Sequence, residues 1–144
     1  MTNCPECGGP GPCDDLFQEL LALDHSRREP WGPLHGVSVA CFVYQHPSRL
    51  VSAPPFGWTI LDAFLRDGRA GAERVVSGFR RANSHRRREG PATGARAPSG
   101  TPPARFAVTI AEVAGDGTFP ADGFPDRVRE WAAATVEAWT ARPE

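Results

Sequence analysis

The chain has 144 residues and a formal net charge of -1, which fits one domain with its own core and points to neither nucleic acid nor a membrane surface. Hydrophobic residues make up 40%, and Gly and Pro supply 15 positions each, so the core is lean and irregular chain takes a large share. All 16 basic residues are Arg, a bias that weakens any argument from Arg at a single position.

The opening MTNCPECGGP has no charged leader followed by an apolar run, and no stretch approaches the ~18 apolar residues of a membrane span. The expected address is the cytoplasm, where thiols stay reduced and a close Cys pair reads as a metal or redox site before a disulfide. Residues 1–13 hold three of the four cysteines in a Gly/Pro-rich knuckle. Cys4 and Cys7, spaced C-x2-C, can bind one tetrahedral ion across a tight turn that Gly8 permits. Gly9, Pro10, Gly11 and Pro12 are turn formers, so Cys13 can return as a third ligand. It would also sit at a helix N-terminus, where the dipole favours a thiolate. Zinc is the expected ion. Free thiols are the plain alternative, and a redox C-x-x-C would need a strand before Cys4, where none is expected.

Next comes DDLFQELLALDHS, with Leu16, Leu20 and Leu23 at helical spacing and Phe17 and Leu21 widening the stripe. Asp15 followed by Gln18 resembles a capping box, placing the helix start just after Cys13. In PLHGVSVACFVYQHP, Val37, Val39, Cys41 and Val43 alternate as in a strand, yet Pro33 and Pro47 suit the two ends of a helix. Periodicity does not separate a buried helix from a buried strand here, and the helix is preferred.

Two shorter helices are expected in WTILDAFLRDG, which Gly68 would stop, and in AGAERVVSGFRRA. Residues 84–104 show no apolar periodicity and many breakers, and read as a mobile Arg-rich loop. Thr109 and Glu112 form a second capping-box pair. The closing helix, within residues 122–141, places Val128, Trp131, Ala132, Thr135 and Trp139 on one face.

Four histidines could complete a metal shell: His25, His35, His46 and His85. Cys41 lies in an apolar run and reads as a small core residue. On one helix, His35 and His46 stand ~16 Å apart, so one ion cannot take both. If the first two helices form an antiparallel hairpin, its closed geometry puts His46 near Cys13 and His35 near His25. His46 is therefore the expected fourth ligand, and a hairpin folded the other way would offer His35. Asp24, His25 and His35 then gather at the opposite end, either as separately satisfied side chains or as a second polar site.

CPECGG, the later Cys13, LHGVSVACFVYQHPS and the ending TIAEV…VREWAAATVEAW together resemble an uncharacterised bacterial family catalogued as domain of unknown function 5946. The resemblance spans nearly the whole chain except the Arg-rich loop. Its most specific part is His35, Val39 and Gln45-His46-Pro47. It implies a small, mainly helical, metal-binding domain without an established activity. Relatives often carry an acidic residue where this chain has Ala40, and a further His near the position of Gly57.

Residues 78–105 carry seven Arg (80, 81, 86, 87, 88, 96, 105) against Glu89 alone. Such a stretch could contact phosphates, but no aromatic residue lies between Arg80 and Arg105 to stack on bases. The sequence thus leads to a single mainly α domain over residues 1–144, with a zinc knuckle (1–13) packed on a helical hairpin. The expected ligands are Cys4, Cys7, Cys13 and His46. Four protein ligands describe a closed, structural zinc, suited to an accessory or interaction module for a protein or small-molecule partner, with no membrane role. The alternatives are a metal-dependent enzyme using His35 and His25, or an open zinc site, and a nucleic-acid-binding module working through the loop. No phosphate-binding Gly loop, nucleophile elbow or dinucleotide fingerprint is present.

Overall fold

A computed structural model describes residues 3–52, 56–84, 97–98 and 100–141. Among these residues the fold is mainly helical and no strand forms; an isolated bridge joins Asn3 to Pro10. Helix α1 spans Cys13–His25, and Cys13, Phe17, Leu20 and Asp24 recur at helical spacing on its buried face. A 3-10 turn over Gly32–Leu34 leads into α2, His35–Gln45, and a second over Pro47–Ser52 leaves it. Helix α3 covers Gly57–Ser84, α4 covers Ile110–Ala114, and α5 covers Phe124–Thr140.

Helix α2 is the central element, packed against α3 and α5. Every residue from Ala40 to Gln45 is buried, which explains why its sequence shows no one-sided stripe: a helix covered all round has no polar face to reveal its period. Pro33 sits in the preceding turn, and Pro47 follows the C-cap His46, where it cannot continue the helix. Four long-range side-chain bonds tie the core. The Trp139 Nε1 donates to the Tyr44 carbonyl at 2.8 Å, and the Trp31 Nε1 to the Phe119 carbonyl at 2.9 Å. Gln45 Nε2 donates to the Val108 carbonyl at 2.8 Å and to Thr135 Oγ1 at 2.9 Å. On α5, Val128, Trp131, Ala132, Thr135 and Trp139 are all buried, as their spacing predicts.

One expectation needs correction. Asp15 does not cap α1: the helix already begins at Cys13, Pro12 is the N-cap, and no side chain caps it. Asp14 and Asp15 instead lie in the first turn, where their charge favours the positive end of the helix. Gly68 does separate two helices, as expected: the stretch Gly57–Ser84 is two helical runs joined at a kink. Gly68 stands at that kink inside α3, with φ 72° and ψ -158°, a conformation that glycine adopts without a Cβ penalty. The pair Thr109 and Glu112 does form a capping box: a Glu112 carboxylate oxygen accepts from the Thr109 N–H at 2.7 Å. The Arg-rich segment falls largely outside the described residues, including Arg86, Arg87, Arg88, Arg96 and His85.

Candidate metal centre

Two backbone hydrogen bonds shape the turn of the knuckle. The Cys4 N–H donates to the Gly9 carbonyl at 2.7 Å, and the Gly8 N–H returns to the Cys4 carbonyl at 2.9 Å. Gly8 takes φ 81° to close this turn. The Gly9 N–H then points at Cys7 Sγ, 3.4 Å away, and stabilises negative charge on that sulfur. Glu6, between the two cysteines, accepts from the Ser48 N–H at 2.8 Å and from Ser48 Oγ at 3.1 Å. The knuckle is thereby tied to the turn that follows α2.

Cys13 opens α1 and His46 closes α2, so an antiparallel pairing of these helices brings the two beside the knuckle. His46 is fixed on two sides. Its ring stacks on Phe42, with centroids 4.1 Å apart and planes at 22°. Phe42 in turn stacks on Phe17 of α1, with centroids at 3.9 Å and planes at 5°. The His46 Nδ1 meets the Phe42 carbonyl at 2.8 Å, which places the proton on Nδ1 and leaves the Nε2 lone pair available. That Nε2 is buried and has no hydrogen-bond partner.

One ligand atom from each of Cys4, Cys7, Cys13 and His46 lies within 4.8 Å of all the others. The Cys7 and Cys13 sulfurs are 3.7 Å apart, close to the ~3.8 Å edge of a tetrahedron with ~2.3 Å metal–sulfur bonds. These residues fit a tetrahedral metal ion. The electrostatics agree. The Cys13 thiol donating to Cys7 holds the Cys7 thiol well below its ordinary range, with His46 and the Gly9 N–H helping and burial opposing. The same shared proton, with burial, pushes Cys13 up. Burial disfavours a charged His46, but the Cys7 sulfur, the Phe42 carbonyl and Glu6 outweigh it and raise its pKa. A cation at the centre would take over the role of these protons. Cys41 stays apart from the cluster, fully buried in the core, where burial pushes its thiol up.

The knuckle, both hairpin helices and α5 fall within one match, because residues 2–140 fit the family model for DUF5946, a family of unknown function. The chain belongs to DUF5946. No curated protein and no solved structure matches it. This DUF5946 chain carries a second polar group at the far end of the hairpin, where α1 finishes and α2 starts. Asp24 Oδ2 accepts from His35 Nδ1 at 2.8 Å, with the Asp24 side chain fully buried and that of His35 45% exposed. The His25 ring lies 5.9 Å from the His35 ring, centroid to centroid. Burial raises the Asp24 pKa, and the His35 contact opposes it. His35 is thus placed away from the cysteines, in a cleft of about 900 Å³ that Ala40 and Gly57 also line. Sequence reasoning did not find Glu6, Phe17 and Phe42 as supports of the candidate metal centre. Their contacts cross 42 residues in one case and 25 in the other, and the sequence signals neither partner.

Proposed function

We propose that this member of DUF5946 is a small zinc-binding protein in which the ion is structural, serving an accessory or interaction role. The observation that carries this reading is the buried, unpartnered His46 Nε2 among three cysteine sulfurs. A buried imidazole nitrogen without a partner is costly, and coordination removes that cost. Three thiolates and one imidazole suit zinc: its tetrahedral geometry matches the sulfur spacing, and soft ligands select against magnesium and calcium. Four protein ligands close the shell, so no position is left for a substrate or activated water, which separates this reading from a catalytic zinc.

Metal analysis of the purified chain, followed by X-ray absorption at the metal edge, tests it. The expected shell has three sulfurs at ~2.3 Å and one nitrogen at ~2.0–2.1 Å. An added oxygen in place of one protein ligand would support the open, enzymatic site instead. A stoichiometric metal other than zinc, or none at all, would sink the zinc reading.

A further inference from the structure

The cleft at the opposite end of the hairpin has its own chemistry. Its walls come from the α1–α2 turn, the first residues of α2 and α3, and the face of α3 that carries Ile60, Val76 and Arg80. Both acids in the wall are already engaged, Asp24 by His35 and Glu73 by Arg69. Its cations are not. On α3, Arg66 pairs with Asp62 and Asp67, Arg69 with Glu29 and Glu73, and Arg74 with Asp67. Arg27 and Arg80, the two arginines that line the cleft, form no ion pair among the described residues.

Three further features have the same sign or shape. With Nδ1 donating to Asp24, the His35 ring keeps Nε2 for a ligand, and the imidazolium form would donate from it. Helices α2 and α3 both begin at this cleft, and the Leu34 N-cap supplies no side-chain acceptor to the first N–H groups of α2. Val39, Ala40, Phe56, Ile60 and Val76 give the lining an apolar wall, with His25 and Ser77 also at its surface. A concave apolar wall with a few convergent polar groups is the usual form of a small-molecule site.

We propose that this cleft binds a small organic anion, a carboxylate carried on an aryl or short alkyl body. The carboxylate is recognised by His35, Arg27 and Arg80, and the body lies on the Ile60–Val76 wall. Asp24 is a positioning residue that holds the His35 ring. This site is separate from the cysteine cluster and does not depend on the identity of its metal.

The test is a titration of the metal-loaded full chain with benzoate and hexanoate, and with the matching neutral benzamide and hexanamide. Side-chain signals of His35, Ile60 and His46 are followed by NMR. Both acids should shift His35 and Ile60 saturably and leave His46 in place, and the amides should bind about tenfold more weakly or worse, the loss expected when a charge-assisted contact goes. Arg27→Gln and Arg80→Gln should erase that preference. Val76→Phe should block the acids without removing a charge. Equal binding of acids and amides, acid binding unchanged in both Arg variants, or shifts confined to His46 would each overturn the proposal. So would the absence of saturable shifts up to the solubility limit of the acids. Inorganic phosphate competing as well as hexanoate would overturn the role of the apolar wall.

Discussion

Replacing His46 with Ala removes an imidazole that Phe42 orients twice, by ring stacking and by its carbonyl. Metal affinity should fall by more than the ~10–100-fold that loss of a supporting contact costs. His35→Ala should leave metal content unchanged, because His35 sits with Asp24 at the other end of the hairpin. Competition with a chelator of known affinity measures both variants, and a larger loss from His35 would mean that the wrong histidine serves the ion. Asp24 gives a separate prediction with a definite sign. Its pKa is raised in the folded chain, chiefly by burial, so the fold holds this proton more tightly than the unfolded chain does. That stability is present in full below the unfolded value and is lost as pH rises through the raised folded one. Asp24→Asn removes the dependence while still offering His35 an acceptor oxygen. Between pH 4 and 7 the variant should gain on the parent in unfolding free energy, by at most ~1.4 kcal/mol per pH unit. Urea titrations at several pH values read this difference, and a gain for the parent with rising pH would contradict the assignment.

The helical elements were legible where one face is apolar and the other polar. Leu16, Leu20 and Leu23 mark α1, and Val128, Trp131 and Trp139 mark α5, because a half-buried helix writes its period into the sequence. Helix α2 was ambiguous for the opposite reason, being buried at every position from Ala40 to Gln45. Gly68 was legible as a breaker, and it marks the kink where two helical runs meet within α3. The two glycines Gly9 and Gly68 predict different outcomes for the metal. A Cβ on Gly9 would lie 2.4 Å from Thr109 Oγ1 and 2.9 Å from Thr109 Cβ. Thr109 is buried and held in its capping box by Glu112, so it has little room to yield. Gly9→Ala should cost ~1–3 kcal/mol and weaken metal binding, since it pushes the knuckle off α4. A Cβ on Gly68 would meet nothing within 4 Å, and only its φ of 72° is strained. With ψ at -158° this is a region open essentially to glycine alone, so Gly68→Ala should cost ~1–3 kcal/mol and leave the metal in place. Denaturant titrations with metal analysis compare the two, and metal loss in Gly68→Ala alone would reverse the argument.

At the scale of the whole molecule, the cysteine side of the candidate centre was readable because three cysteines lie in ten positions of a Gly/Pro-rich stretch. The choice of His46 needed a three-dimensional step, the antiparallel hairpin, and the cleft around His35 needed α3, whose approach no local pattern announces. The knuckle has little to hold it without an ion. Its own backbone bonds are Cys4 to Gly9 and Gly8 to Cys4, and Glu6 adds an anchor to Ser48. A bound ion would join this segment to the start of α1 and the end of α2, three places far apart in sequence. Metal that binds only the folded chain stabilises it by mass action, by ~4 kcal/mol at a thousandfold excess over its Kd. A strong chelator should therefore lower the Tm of the parent and expose the Gly8, Gly9 and Ser48 amides to hydrogen exchange, while α5 amides keep their protection until global unfolding. Cys7→Ala should reproduce the chelated state, and chelator added to Cys7→Ala should lower its Tm no further, since both changes remove the same ion. An unchanged Tm in parent protein shown to have lost its metal would mean that the core of α2, α3 and α5 holds the fold alone. The ion would then have a role other than structural support.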